Sequence, residues 1–242
     1  MKHILAVYQW CVAMPILLVM TIITALLTIF FSLLGMSRRG GYYPAHFWAK
    51  LSCILMFVKV EVKGRENIDP KTSYVFVANH QGAYDIYLVY GYLNHNFKWM
   101  MKKSLEKIPF VGAACRISKH IMVDRSSASA IQQTMDSAKR ILKDGMSLVV
   151  FPEGSRTPDG EMKKFKRGAF SLATEFGLPI VPLTIDGSYD VMPKNTFRIT
   201  PGKISLTIHK PIYFDKVGAD NKALTEELLE KSYNVIKSGL PG

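Results

Sequence analysis

The first part of the chain has almost no charge, since no Asp, Glu, Lys or Arg occurs in residues 4–37. That run is much longer than the ~20 apolar residues with which a helix crosses a bilayer. No A-x-A-like cleavage site follows it, which argues against a removable signal peptide, and it is apolar on every side, which argues against a core helix. We therefore predict a hydrophobic, membrane-anchoring helical segment.

Cysteine is also scarce. Cys11, Cys53 and Cys115 are odd in number and far apart, so they form neither a disulfide framework nor a CxxC metal site, as is typical of a reducing compartment. No GxSxG nucleophile elbow occurs, and no His, Cys or Glu spacing is typical of a metal centre. The sequence therefore shows no protein nucleophile of a known type, and we predict no metal.

The remainder of the chain is basic. The whole sequence has a formal net charge of +12 and a pI near 9.5, which indicates an anionic partner: nucleic acid, an acidic substrate or an anionic membrane surface. Arg38 and Arg39 close the apolar run, so the positive-inside rule places the basic remainder on the cytoplasmic side. Residues 44–58 fit either a helix at the membrane interface or an amphipathic helix packed on the next domain.

Short apolar segments alternate with amphipathic ones after residue 57. The pattern predicts strands at 57–64, 74–79, 97–101, 119–124, 147–151, 180–185 and 204–208, and helices at 85–93, 105–114, 128–142, 168–176 and 222–237. Such alternation is typical of an α/β fold, here a mixed sheet with helices on its faces. With no repeats and no long linker, we predict a membrane anchor at 1–60 and one catalytic domain at 61–242.

Polar side chains follow several of these strands, and the carboxyl ends of strands are where α/β folds collect their chemistry. In ANHQGAYD, His80 ends a strand and Asp85 begins a helix, while Gly82 favours a turn that lets the two side chains converge. A histidine oriented by a carboxylate suits a general base, and without a protein nucleophile the substrate supplies one, most simply a hydroxyl. The alternative is that His80 is a structural capping residue.

A second cluster, FPEGSRT, follows the strongest buried strand. Gly154 permits close backbone approach, and Arg156 offers a fork of donors matched to a phosphate. Glu153 either orients Arg156 or binds a substrate hydroxyl. Further cations come from the end of another strand and from the segment after the cluster: Lys102, Lys103, Lys163, Lys164, Lys166 and Arg167. These residues predict an anion site, and the alternative is a solvated basic loop.

Four ordered segments resemble the signature blocks of the glycerolipid acyltransferases, most closely of the 1-acylglycerol-3-phosphate acyltransferases. They are NHQGAYD, KKSLEKIPFVG (102–112) with VDR (123–125), FPEGSRT, and LPIVPLTI (178–185). Together they span roughly residues 60–210, and four blocks in order are far more specific than one. The sequence departs from the family at Ser155, where threonine is more common.

The resemblance implies a role for each residue. His80, oriented by Asp85, removes the proton from the sn-2 hydroxyl of a lysolipid, and the alkoxide attacks an acyl thioester. Arg156, with Lys103 or Lys102, holds the glycerol phosphate. The same pocket is shaped by further residues that match the family pattern: Glu153, Gly154, Ser155 and Lys166.

The resemblance also implies partners and a location. The acceptor is a membrane lipid, the acyl donor is acyl-CoA or acyl carrier protein as co-substrate, and neither nucleic acid nor a cofactor takes part. A bacterial inner membrane, with the catalytic domain on its cytoplasmic side, fits these requirements. Glycerol-3-phosphate and other lysolipids stay open as acceptors. From other classes, a membrane-tethered thioesterase or lipase and a basic binding module also stay open.

Overall fold

The computed structural model describes residues 2–124, 126–143, 145–215 and 221–241. In this part of the chain seven strands form one sheet: β1 (Lys59–Lys63), β2 (Val75–Ala78), β3 (Phe97–Lys102), β4 (Ile121–Val123), β5 (Ser147–Val150), β6 (Ile180–Asp186) and β7 (Lys203–Ile208). Their order is β1-β7-β6-β2-β5-β3-β4. The five strands from β6 to β4 are parallel, whereas β7 is antiparallel to β6 and parallel to β1. The predicted mixed sheet is confirmed.

Helices cover both faces of this sheet. They are α1 (Lys2–Tyr8), α2 (Met14–Phe31), α3 (Ser37–Gly40), α4 (Tyr43–Leu55), α5 (Tyr84–Tyr92), α6 (Val111–Ile117), α7 (Ala128–Lys143), α8 (Gly168–Phe176), α9 (Ser188–Val191) and α10 (Asn221–Ser238). Phe76 and Ala78 of β2 face a core shared with α4 and α5, while Val75 and Val77 face a second core shared with α7, α8 and α10. A strand buried on both faces explains the continuous apolar run in the sequence.

One predicted helix is divided in the structure. Residues 105–114 do not form a single helix, because a 3₁₀ turn at Lys103–Lys107 is followed by α6, which begins only at Val111. Pro109 separates the two pieces: it disfavours the helical conformation at the preceding residue, and Ile108 is extended, with φ −75° and ψ 120°. Phe110 then adopts a φ of 60°. Elsewhere the predicted and observed boundaries differ by a few residues.

The predicted N-terminal apolar helix is confirmed. By length and composition, His3–Gly40 is the one helix among the described residues that is long and apolar enough to cross a membrane, and Gly35 interrupts it with a φ of 80°. The segment lies along the α/β body and is bonded to it at both ends. The Gln9 side chain donates to the Ile199 carbonyl (2.8 Å), and Arg38 donates to the Gly145 carbonyl (3.1 Å).

The helix α4 connects this segment to the sheet. Its inner face, which includes Ala49 and Cys53, is buried with α5, as expected for a helix packed on the domain. Its outer face carries Phe47 and Ile54, both exposed, as a helix at a membrane interface requires. The interpretation as a helix packed on the domain is confirmed, and its position at a membrane interface stays a prediction.

Candidate active site

The end of β2 is held to β6 by the side chain of Asn79, which was not among the predicted site residues. Asn79 donates through Nδ2 to the Ile185 carbonyl and accepts through Oδ1 from the Ile185 N–H, both at 2.8 Å. This pair of bonds continues the β2–β6 pairing by one step in a side chain, at the carboxyl edge of the parallel strands. The chain consequently leaves the sheet from a fixed position, with His80 as the next residue.

His80 and Asp85 converge across the turn after β2. Nδ1 of His80 lies 2.6 Å from Oδ2 of Asp85, and the same oxygen accepts the Gly82 N–H at 3.0 Å. Because a carboxylate only accepts hydrogen bonds, Nδ1 carries the proton in this pair and the Nε2 lone pair of a neutral ring is left free. The His80 side chain keeps 14% of its surface exposed, whereas Asp85 keeps none. A substrate therefore reaches the pair from the histidine side.

Gly82 has a packing reason to lack a side chain. A Cβ at this position would lie 2.3 Å from the Ser188 carbonyl oxygen and 2.9 Å from that of Met192. The Ala83 N–H donates to the same Met192 carbonyl at 3.1 Å. The turn between His80 and Asp85 is thus pressed against the chain that leaves β6.

The FPEGSRT segment wraps around the backbone of His80. Glu153 accepts the His80 N–H through Oε1 (2.7 Å) and the Lys163 N–H through Oε2 (3.1 Å), and the Thr157 N–H donates to the His80 carbonyl (2.9 Å). Burial raises the pKa of Glu153, and the two backbone donors oppose this shift. Both carboxylate oxygens thus bind backbone N–H groups, and the predicted contacts with Arg156 or a substrate hydroxyl are not among these bonds.

Two aromatic rings support the imidazole from one side. Phe151, the first residue after β5, stacks on His80 with ring centroids 4.0 Å apart, and Trp99 of β3 stacks behind Phe151 at 5.3 Å. Neither ring was among the predicted site residues. Phe151 opens the FPEGSRT motif, so its position next to a predicted site was the available signal.

The predicted cations differ in what they already bind. Lys103 pairs with Asp124 at 2.7 Å, and this hydrogen bond holds the pKa of the Asp124 carboxyl well below its usual range. Lys163 binds the FPEGSRT segment, because its Nζ contacts the carbonyl oxygens of Ser155 and Arg156 and the Ser155 hydroxyl. The backbone N–H of Lys166 donates to the Pro152 carbonyl at 3.0 Å.

Lys102 and Arg156 are the predicted phosphate-binding cations that form no ion pair with any described residue. Lys102 ends β3, and Arg156 lies in the loop after β5, the strand paired with β3. Both side chains therefore start from the same edge of the sheet as His80. The Gly154 backbone is exposed with a φ of 77°, and Ser155 is exposed beside it. Arg125 of the VDR segment lies outside the described residues.

The described residues contain no group of three or more His, Cys, Asp or Glu side chains placed to hold a metal ion. What they do place together is an imidazole with a free Nε2, a carboxylate that orients it, and unpaired cations at the same edge. That arrangement can remove a proton from a hydroxyl and hold an anionic group near it.

Comparison with known proteins gives a consistent result. The family model described as Acyltransferase matches residues 59–186. A 1-acyl-sn-glycerol-3-phosphate acyltransferase of Chlamydomonas reinhardtii is 32% identical over 206 residues, which cover 84% of this chain and 59% of that protein. One of Pseudomonas aeruginosa is 32% identical over 170 residues, covering 69% of this chain and 65% of that protein. The chain thus spans about three-fifths of the length of these curated relatives.

A solved structure matches more of the length. The crystal structure of the 1-acyl-sn-glycerophosphate (LPA) acyltransferase PlsC from Thermotoga maritima superposes with a TM-score of 0.80 and 29% sequence identity. The match covers 98% of this chain and 93% of that one, so it includes the N-terminal helical segment as well as the sheet.

Proposed function

Because the chain belongs to the Acyltransferase family, we propose that it transfers an acyl group from a thioester to the sn-2 hydroxyl of 1-acylglycerol-3-phosphate, giving phosphatidic acid. The observation that carries the proposal is the His80–Asp85 pair, with 2.6 Å between Nδ1 and Oδ2, at the edge of the sheet where Lys102 and Arg156 lie unpaired. The relatives whose names specify this reaction support the choice of acceptor.

In the proposed mechanism, the substrate supplies the nucleophile. Nε2 of His80 takes the proton of the acceptor hydroxyl as its oxygen forms a bond to the thioester carbonyl carbon. The tetrahedral intermediate then collapses, the C–S bond breaks, and the proton passes from the imidazolium to the leaving thiolate. Asp85 keeps the ring in the tautomer with a free Nε2 and stabilises the imidazolium between the two steps. No acyl-enzyme forms, which agrees with a sequence that has no nucleophile elbow.

The acceptor phosphate is proposed to bind between Arg156 and Lys102. The guanidinium provides two parallel donors for a phosphate and the ammonium adds a second charge. Lys103 joins them only by leaving Asp124, an exposed ion pair of the kind that contributes little to stability. Glu153, in this proposal, acts on His80 through the backbone and does not contact the substrate. The donor is acyl-CoA or acyl carrier protein, and both carry the thioester on a phosphopantetheine arm.

The N-terminal segment is proposed to hold the enzyme on a membrane without standing apart from the catalytic unit. Trp48 of α4 donates to the Thr21 hydroxyl (2.9 Å), midway between the Gln9 and Arg38 bonds. A helix tied to the domain along its length cannot cross a bilayer while the domain stays in water. Its outward apolar face is therefore proposed to lie in one leaflet, and the net charge of +12 favours the anionic cytoplasmic leaflet of a bacterial inner membrane.

The direct test uses the full chain in detergent, a labelled acyl thioester and a panel of acceptors. Transfer to 1-acylglycerol-3-phosphate is expected, together with a loss of about 10²–10⁴-fold in His80→Ala, because a general base contributes that much. Asp85→Asn should also lower the rate, whereas Gln133→Ala, an exposed change on α7, should not.

The panel distinguishes the alternatives. Transfer to another lysolipid or to glycerol-3-phosphate would retain His80 as the base and change the acceptor. Release of free acid that depends on His80, with no acceptor modified, would make the chain a thioesterase. Turnover near the wild-type rate in His80→Ala would contradict the mechanism.

A further inference from the structure

The loop between α9 and β7, residues 192–200, is tied to two functional parts of the molecule. At its start the Met192 carbonyl accepts the N–H of Ala83, from the turn between His80 and Asp85 (3.1 Å). Near its end the Ile199 carbonyl accepts from the Gln9 side chain of the N-terminal segment (2.8 Å), in a buried contact. The loop therefore joins the catalytic turn to the apolar helix.

This loop carries an apolar tip between two cations. Phe197 is 78% exposed, the highest value for a large apolar side chain among the described residues. Lys194 and Arg198 are also exposed and form no ion pair with a described residue. A single exposed aromatic residue is ordinary on a protein surface, so the neighbours of Phe197 decide its meaning.

The segments tied to this loop also expose large apolar side chains. Gln9, which bonds to Ile199 of the loop, belongs to the turn of helix that exposes Val7 and Trp10. On the same end, the exposed ring of Phe57 lies 5.4 Å from the ring of Tyr8. Three segments that are distant in sequence thus present large apolar side chains at one end of the molecule. Several large apolar side chains exposed at one end of a molecule are typical of an interaction site.

We propose that residues 192–200 form a second membrane contact, in which Phe197 enters the headgroup–acyl boundary of an anionic bilayer while Lys194 and Arg198 bind lipid phosphates. An aromatic tip flanked by cations matches that boundary, which is apolar on one side and anionic on the other. The loop is tied through Ile199 to the N-terminal apolar helix, which favours a bilayer over an acidic protein as the partner.

The contact has a consequence for the reaction, and this part of the proposal rests on the proposed function. The chain entering the loop presses on Gly82, between the base and its carboxylate. Seating the loop on lipid therefore holds the catalytic turn at a set distance from the bilayer surface. A lysolipid can then present its hydroxyl to His80 while its acyl chain stays in the membrane.

The test places a fluorophore at the tip. In a Cys11→Ser, Cys115→Ser background, which leaves only the buried Cys53, Phe197→Cys is labelled with nitrobenzoxadiazole. The full chain is reconstituted in phosphatidylcholine–phosphatidylglycerol vesicles containing lipid with a nitroxide near the headgroup. A shift of emission to shorter wavelength and quenching by the nitroxide are expected at position 197.

The control is Ile131→Cys, labelled in the same way. Ile131 is 48% exposed on α7, whose Ala138 and Leu142 lie in the second core, across the sheet from the core that holds Ala13 and Leu17 of the N-terminal segment. Its label should be neither shifted nor quenched. Replacing Lys194 and Arg198 by Gln should weaken the quenching at 197 in anionic vesicles, since each such charge changes partitioning roughly fivefold.

Acyl transfer measured on the same vesicles keeps this proposal separate from the proposed function. Quenching at 197 without acyl transfer would support the membrane contact and contradict the enzyme activity. Transfer without quenching at 197, or equal quenching at 197 and 131, would overturn the membrane contact alone. If the nitroxide lipid does not quench the label at 197 but acyl carrier protein shields it, the loop is a protein-docking surface. That result would also overturn the membrane contact.

Discussion

The imidazole of His80 lies face to face with the phenyl ring of Phe151, with 4.0 Å between the ring centroids and 9° between the ring planes. The Asp85 hydrogen bond holds Nδ1 in place but lets the imidazole tilt about the Nδ1–Oδ2 line. The stacking contact with Phe151 prevents this tilt. Trp99 backs Phe151 from the other side, so the stack does not yield easily. Phe151 is therefore assigned a positioning role.

Phe151→Leu should lower kcat with little effect on KM, because leucine retains apolar volume but offers no flat surface to the imidazole. Stacked ring pairs contribute about 0.5–1.5 kcal/mol beyond their buried area, so the expected loss is up to roughly tenfold. Phe151→Tyr keeps the ring face and should recover most of the rate. Steady-state kinetics on the two variants check this, and an unchanged kcat in the leucine variant would remove the positioning role.

Glu153→Gln should reduce both stability and kcat while leaving KM for the lysolipid unchanged. Glutamine has one acceptor where the carboxylate uses two, so the His80 or the Lys163 N–H faces an NH₂ group. A buried unpaired donor costs about 1–3 kcal/mol in the free energy of unfolding. Glu161→Gln, an exposed carboxylate of the same segment, is the matched control. A rise in KM for the lysolipid would instead mean that Glu153 contacts the substrate.

Arg156→Lys should raise KM for the lysolipid and leave KM for the acyl donor nearly unchanged. Lysine keeps the charge but loses the planar fork of donors, and one charge-assisted hydrogen bond accounts for roughly a tenfold change or more. Steady-state kinetics with each substrate varied in turn separate the two constants. Arg140→Lys on α7 makes the same exchange at an exposed site and should change neither. Equal effects on both substrates would contradict the phosphate assignment.

The protein should lose stability as the pH falls below about 6.5. Burial lowers the pKa of His120 to about 3, and the neutral ring accepts the Trp99 N–H and donates to the Tyr90 hydroxyl. The unfolded chain binds a proton on His120 near pH 6.5, whereas in the folded protein this ring stays neutral. Above pH 6.5 both states are neutral at His120, and the free energy of unfolding has its full value. It falls by about 1.4 kcal/mol per pH unit toward the folded pKa. Burial lowers the pKa of His95 to about 4, which adds to the effect.

Urea unfolding in detergent between pH 4 and 7 measures this dependence. His120→Gln keeps a polar partner for both neighbours and removes one titrating group, so its stability should vary less steeply with pH than that of the wild type. Parallel curves for the two proteins would show that His120 does not stay neutral in the folded state.

Much of the fold depends on patterns that are local in the sequence. The alternation of apolar and amphipathic segments indicated the mixed sheet, and the uncharged run indicated the N-terminal apolar helix, because each depends on the side chains of neighbouring residues. The turn at Gly82 likewise predicted that His80 and Asp85 converge, since only four residues separate them. The four ordered blocks predicted the family. The roles of the site residues and the division at residue 60 stay predictions.

The tertiary structure decided the contacts between distant residues. Glu153 is an acid among cations in the sequence, yet its oxygens bind the backbone of His80, 73 positions away, and of Lys163. The choice between Lys102 and Lys103 depends on Asp124, which lies 21 positions beyond Lys103. Backbone N–H groups are chemically alike at every residue except proline, so no sequence pattern marks which of them a carboxylate will hold.

The N-terminal segment shows the same division. Its composition determined that it avoids water on most of its surface, and an almost uniformly apolar helix cannot indicate which face packs on the protein. A few polar groups decide that: the buried Gln9 amide donates to the Ile199 carbonyl, and the Trp48 indole N–H donates to the Thr21 hydroxyl, which itself donates to the Leu17 carbonyl within the helix. Sequence determined that there is an apolar helix, and folding determined its direction across the domain.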